Sequence, residues 1–179
     1  PKYLKKTSNF LKKHYKRPAA FLDRDGVINH DYGYVHKPKN FKLKKDVIKT
    51  LKHLINKNYY IFIITNQAGI AKKKFTEKDF FKLHLYIKKK LNLNNVYFND
   101  VKFSPYHPKG KIKKFKKKSN YRKPGNLMVK DILRNWLVDK KNSFMIGDKI
   151  SDKLCAKKSN IYFEFVEKNF LKQIKIITK

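Results

Sequence analysis

Cysteine is almost missing from this 179-residue chain, and the one present, Cys155, can form neither an internal disulfide nor a cysteine-rich metal site. A reducing compartment fits such a chain, so the expected localisation is cytoplasmic. Acidic residues are scarce as well: 13 Asp plus Glu stand against 46 Lys plus Arg, a formal net charge of +33. A field of that sign attracts phosphates, nucleic acid and anionic membrane surfaces. Long apolar runs are lacking too. The longest, Tyr59 to Ile64, is far too short to span a bilayer, and the first 17 residues have no apolar core of a secretory signal. A soluble protein without membrane contact is expected.

What is abundant is lysine, spread from residue 2 to residue 179. That spread reads as compositional drift, because a dedicated nucleic-acid face gathers its charge on one stripe. Nucleic acid is therefore the lesser expectation as a partner, and a small anionic molecule the greater. With 41% hydrophobic residues the chain can build one core and has little room for a second. The organisation expected is a basic extension over residues 1–17, holding seven basic side chains, and a single domain over residues 18–179 acting as a monomer.

Strand and helix patterns alternate from residue 18 onward, which predicts a parallel sheet covered by helices on both faces. Strands are expected at Pro18 to Leu22, Tyr60 to Ile64, Val101 to Phe103, Ser143 to Ile146 and Ile161 to Phe165. A helix over about Asp46 to Lys57 carries Val47, Ile48, Leu51, Leu54 and Ile55 on one stripe. A second, with Phe80, Leu83, Ile87 and Leu91 as its apolar face, is preceded by Thr76, Glu77, Lys78 and Asp79, which read as a capping box. His84 beside that face reads as a packed or exposed histidine. Pro124 to Leu137 suits a helix with proline in its first turn, and Lys153 to Lys158 a short one. Lys109 to Lys118, with seven lysines, is expected to be a loop.

Ligands of open α/β sheets bind beyond the carboxyl ends of the strands, and here those ends are polar. The first closes with Asp23, Arg24, Asp25 and Gly26. Strand alternation puts Asp23 and Asp25 on one side and Arg24 on the other. Beside a divalent cation, one carboxylate can attack phosphorus while the other handles the leaving-group proton. The second strand ends at Thr65, Asn66 and Gln67, and the fourth at Gly147, Asp148 and Lys149, with Asp152 beyond. Arg122 and Lys123 precede a helix whose free N–H groups favour an anion. Together these supply a nucleophile, an acid/base, a further carboxylate for a metal, a hydroxyl donor and a fixed cation.

The ordered set Asp23-Arg24-Asp25-Gly26-Val27-Ile28-Asn29, Asp31-Tyr32-Gly33-Tyr34-Val35, Thr65-Asn66-Gln67-Ala68-Gly69-Ile70-Ala71, Phe75-Thr76-Glu77, Arg122-Lys123-Pro124 and Gly147-Asp148-Lys149 resembles the haloacid dehalogenase superfamily. Within it, the chain is similar to the subfamily of heptose 1,7-bisphosphate 7-phosphatases and histidinol-phosphate phosphatases. The resemblance implies a three-layer Rossmann-like α/β fold with a central, mostly parallel sheet and a minimal cap. It implies Asp23 as nucleophile, Asp25 as acid and then base, and Thr65 and Lys123 holding the phosphoryl oxygens. Mg2+ would sit between Asp23, the backbone carbonyl of Asp25 and Asp148, with Asp152 supporting that shell or the Lys123 ammonium. Asp31, Tyr32, Gly33, Tyr34, Thr65, Asn66, Gln67, Ala68, Arg122, Lys123 and Lys149 would meet the substrate, although Tyr32 and Tyr34 could equally be packing their own loop.

The implied reaction is removal of the 7-phosphate of D-glycero-D-manno-heptose 1,7-bisphosphate on the way to ADP-heptose and lipopolysaccharide. Histidinol phosphate stays open as substrate, since the catalytic set acts only on the phosphoryl group. A polynucleotide 3'-phosphatase or a nucleic-acid binding protein stays open on charge. One departure stands out. The subfamily carries a Cys/His zinc site where this chain has Ser104, Tyr106, Ser119 and Tyr121, so the structural zinc is expected to be absent, with His107 unable to make a site alone.

Overall fold

The computed structural model describes residues 16–179, so most of the expected basic extension lies outside the described residues. Five parallel strands form one sheet: β1 (Ala19–Leu22), β2 (Tyr60–Asn66), β3 (Asp100–Ser104), β4 (Phe144–Gly147) and β5 (Tyr162–Phe165), in the order β3-β2-β1-β4-β5. Around it stand α1 (Val47–Asn56), α2 (Ala68–Ala71), α3 (Glu77–Asn92), α4 (Leu127–Asn135), α5 (Ile150–Ser159) and α6 (Phe170–Ile177). The first strand is central, pairing Ala20 with Ile61 on one side and with Phe144 on the other.

Alternation along the strands feeds two cores. Ala20, Leu22, Ile61, Ile63, Phe144 and Ile146 pack with residues of α1, α3 and α6, including Leu51, Leu83 and Ile174. Ala19, Phe21, Phe62, Ile64 and Met145 pack on the opposite face with Met128 and Ile132 of α4 and Cys155 and Ala156 of α5. Near-continuous apolar strands are what a sheet covered on both faces requires. A third cluster, Ile70, Ala71, Phe75, Phe80 and Phe115, lies around α2. No helix among the described residues is long and apolar enough to cross a membrane.

The expected strands stand within one or two residues of those observed. The Thr76 cap forms as read: Asp79 N–H donates to Thr76 Oγ1 at 3.1 Å while Asp79 Oδ2 accepts from Thr76 N–H at 2.9 Å. His84 packs its ring 4.3 Å from that of Phe80, and burial drives its pKa down to about 3, so the imidazole is neutral. Three expectations need correction. The helix drawn from Pro124 begins only at Leu127, because Gly125 N–H closes a turn onto Arg122 O first, and it ends before Trp136, whose extended backbone sends its ring onto Tyr60 and Phe62. The helix drawn at Lys153 starts at Ile150, since Asp152 Oδ2 accepts the Lys149 N–H and caps it. The lysine-rich segment is not all loop: Lys113–Phe115 forms a 3-10 turn that buries Phe115.

Candidate active site

The carboxyl ends of β1, β2 and β4 meet at one buried point, and Lys123 stands in its middle. Its Nζ lies 3.0 Å from Asp23 Oδ1 and 2.6 Å from Asp152 Oδ1, and donates to Ile64 O at 2.7 Å. Burial alone would depress this ammonium, but Asp23 and Asp152 outweigh it and hold its pKa above the ordinary value. Asn66 fixes the backbone here by a reciprocal pair: its Nδ2 donates to Lys123 O and its Oδ1 accepts from Lys123 N–H, both at 3.0 Å. Asp23 is tied to β4 through its N–H on Ile146 O at 3.0 Å. Burial pushes its carboxyl up to about 6, with Lys123 opposing and Asp152 and Asp25 adding repulsion.

Asp148 completes the group: carboxylate oxygens of Asp23, Asp148 and Asp152 lie within 4.8 Å of one another. Lys123 and the more exposed Lys149, whose Nζ lies 3.8 Å from Asp148 Oδ2, leave three carboxylates net negative, and buried Asp148 Oδ1 finds no hydrogen-bond partner among the described residues. Burial and the neighbouring Asp152 raise the Asp148 pKa against the pull of Lys149. An orphaned oxygen in an all-oxygen, net-negative corner is a fit for a hard divalent cation. Two glycines make the approach feasible. A Cβ on Gly26, whose φ is +87°, would fall 2.3 Å from Asp148 Oδ2, and one on Gly147 would fall 2.2 Å from Asp152 Cβ.

Asp25 faces the same cavity with different neighbours. Its carboxylate accepts from Arg24, Asn29 Nδ2 and Gln67 Nε2. The alternation argument therefore misplaces Arg24: β1 stops at Leu22, the chain turns through Gly26, and the guanidinium folds back onto the neighbouring aspartate. Gln67 Nε2 also donates to Thr65 Oγ1 at 2.9 Å, so Thr65 and Asp25 are linked through one amide.

These groups line a cavity of about 420 Å³. Of the residues read from sequence, Asp23, Asp25, Asp31, Gly33, Tyr34, Thr65, Asn66, Gln67, Ala68, Arg122, Lys123 and Lys149 border it. Tyr32 does not; it is 62% exposed and stacks on His30. Asp148 and Asp152 lie beneath, in the carboxylate group. At the rim Lys149 Nζ meets Asp31 Oδ2 at 3.2 Å, and Lys72 Nζ donates to Tyr34 Oη at 3.1 Å. The sequence reading missed Lys72 and Ser151 as lining residues and treated His107 only as a remnant beside the zinc positions. His107 is held there by its N–H on Phe115 O and by the docking of its loop on α2, where Lys111 and Ile112 N–H donate to Ala71 O. Burial, then Arg122, Lys72 and Lys109, keep its imidazole below the usual pKa.

Of the four positions read against a zinc site, Ser104 Oγ is buried without a hydrogen-bond partner among the described residues, whereas Tyr106, Ser119 and Tyr121 are engaged within the chain. The Tyr106 ring packs edge-on to Phe115 and under the Lys117 ammonium, and Ser119 Oγ accepts from Tyr121 N–H. Burial and a hydrogen bond to Asp131 push the Tyr121 phenol up to about 12. An apolar groove of about 460 Å³ along α3, lined by Phe80, Phe81 and Leu85, contains no carboxylate and is set apart from this chemistry.

A buried aspartate at the end of the central strand, a lysine bridging it to another aspartate and a third carboxylate nearby define a phosphoryl-transfer site of haloacid dehalogenase type. A family described as "Polynucleotide kinase 3 phosphatase" matches residues 19–177, and the chain belongs to this family of the haloacid dehalogenase superfamily of phosphatases. It is 40% identical over 146 residues to the D-glycero-beta-D-manno-heptose-1,7-bisphosphate 7-phosphatase of Rhodopseudomonas palustris, covering 82% of this chain and 81% of that one. The protein of the same name from Escherichia coli K12 is 36% identical over 144 residues, 80% of this chain and 75% of that one. Among solved structures, a D,D-heptose 1,7-bisphosphate phosphatase from B. bronchiseptica, complexed with magnesium and phosphate, superposes with a TM-score of 0.75 at 22% identity, covering 89% of this chain and 86% of that one. At that identity the likeness establishes the fold.

Proposed function

We propose that this chain is a Mg2+-dependent phosphatase that removes the 7-phosphate of D-glycero-D-manno-heptose 1,7-bisphosphate. The single observation that carries the chemistry is the Lys123 ammonium bridging Asp23 and Asp152 beside Asp148, and the substrate is drawn from the relatives named for it at 36% and 40% identity. Asp23 attacks phosphorus; the P–O bond to the sugar breaks, and the leaving alkoxide takes a proton from Asp25. Asp25 then deprotonates the water that attacks the aspartyl phosphate, which releases inorganic phosphate, restores the Asp23 carboxylate and leaves Asp25 protonated as at the start. Lys123 and Thr65 hold the transferring oxygens. Mg2+ held by Asp23, Asp148 and the Asp25 carbonyl would offset the charge of an anionic nucleophile meeting an anionic phosphate. Arg122, Lys149 and Lys72 give the rim its positive charge, which suits a second phosphate and disfavours a cationic alcohol such as histidinol. The protein acts as a cytoplasmic monomer, and without a zinc site.

The description of the matched family favours a second reading, a 3'-phosphorylated polynucleotide as substrate. Phosphate release with and without Mg2+ from heptose 1,7-bisphosphate, histidinol phosphate and a 3'-phosphorylated oligonucleotide separates the readings. Mg2+-dependent preference for the bisphosphate, abolished in Asp23→Asn, is expected; preference for the oligonucleotide would replace the first reading with the second.

A further inference from the structure

Asp25 is gripped by three side chains. Arg24 Nη2 donates to its Oδ1 at 2.9 Å and its Oδ2 at 2.8 Å, and Arg24 Nε reaches Oδ1 at 3.2 Å. Asn29 Nδ2 adds a donor to Oδ1 and Gln67 Nε2 one to Oδ2, each at 2.9 Å. The grip is itself held. Arg24 is 1% exposed, its Nη2 also donates to Val35 O at 2.8 Å, and its guanidinium lies 5.9 Å from the centre of the Phe80 ring. Asn29 is fully buried and Gln67 is 3% exposed.

Stripping water from a guanidinium is costly unless a partner answers its charge, and the partner here is Asp25. The two buried cations thus divide the two aspartates of the turn between them, Lys123 on Asp23 and Arg24 on Asp25. A fork of parallel N–H donors fixes the plane of a carboxylate as a single ammonium cannot. Such a hold matters most for a group that must serve two reacting oxygens in turn, the leaving alkoxide and then the attacking water, since catalytic geometry tolerates only small displacements.

We infer that Arg24, supported by Asn29 and Gln67, is a positioning residue that holds the Asp25 carboxylate for both proton transfers. The inference rests on Asp25 being the acid/base, and one comparison separates the two claims. p-Nitrophenolate leaves without needing a proton, whereas a sugar alkoxide does not. Arg24→Gln, Arg24→Lys, Asn29→Leu and Asp25→Asn are compared with wild type on p-nitrophenyl phosphate and on heptose 1,7-bisphosphate, following the first turnover by rapid mixing.

In Arg24→Gln the bisphosphate kcat is expected to fall roughly a hundredfold, within the range of a lost acid/base contribution. Its burst of p-nitrophenolate should stay within about threefold of wild type, because aspartyl phosphate formation from that ester needs no acid. Arg24→Lys should restore only part of the loss, since it lacks the fork. Equal losses on both esters in Arg24→Gln, with Asp25→Asn still discriminating between them, would overturn the inference. Equal losses on both in Asp25→Asn would remove the acid/base assignment on which it rests, while the nucleophile is judged separately by Asp23→Asn. Should Arg24→Gln lack the native circular dichroism spectrum, Asn29→Leu decides the matter, with the same selectivity expected at about tenfold.

Discussion

At the scale of single residues the site turns on Lys123, whose ammonium makes three short contacts, two of them to carboxylates. Lys123→Ala leaves Asp23 and Asp152 buried with no counter-charge, so two losses are expected together. Turnover should fall about a hundredfold to a thousandfold, the usual result of removing one preorganised donor. Stability should fall by about 3–5 kcal/mol, as when one partner of a buried pair is deleted. Steady-state kinetics and urea unfolding of the variant measure both; an unchanged unfolding midpoint would mean that the ion pairs are not the anchor described. Asp23 and Asp148 were legible in the sequence because each sits in a short run at a strand end, and Lys123 because it stands in a short basic run before a helix. Arg24 was not, because the period-two rule holds only while the strand lasts, and β1 ends at Leu22 with the turn beginning at Arg24 itself.

At the scale of elements, the segment joining β3 to α4 shows how a loop keeps its place among contacts within the chain. Phe115 is buried against Ile70, Ala71, Phe75 and Phe80, and the backbone ties Lys111 and Ile112 to Ala71 and His107 to Phe115. Phe115→Ala should remove about 3 kcal/mol or more from this local packing. Tryptic cleavage between Lys109 and Lys118 should then accelerate, and KM for the bisphosphate should rise more than kcat falls, because His107 at the cavity rim rides on this segment. A cleavage rate equal to wild type would refute the anchoring role. The strands and α3 were readable because long apolar periods and the Thr76 cap are local signals. The docking of Phe115 depends on tertiary partners that no local window contains, whereas the start of α4 is set by the Gly125 turn onto Arg122 and α6 carries an Asn169 cap, local signals that the reading passed over.

At the scale of the whole molecule, charge and topology act together. A net charge of +33 surrounds a cavity that receives an anion, and a field of this size steers such ligands over distances beyond contact. Because salt screens that field with a Debye length of about 10 Å at 0.1 M, KM for the bisphosphate should climb with added KCl while kcat changes little. A change on the order of tenfold from low salt to about 0.5 M is expected. A flat profile would mean that the buried contacts alone set affinity. The sheet and its order of alternating elements were anticipated in the sequence, whereas the convergence of Lys72, His107 and Ser151 on one rim was not, since those residues share no segment.

The placement of β1 at the centre of the sheet also has a meaning in time. Its Asp23-bearing end is synthesised early in the domain, yet one of its two neighbours is β4, which pairs Phe144 with Ala20. On the ribosome, then, the founding strand waits with one edge open while most of the domain emerges, and Asp148 and Asp152 arrive later still. The nascent chain holds half of its active site early and gains the power to use it only near the end of the domain's synthesis.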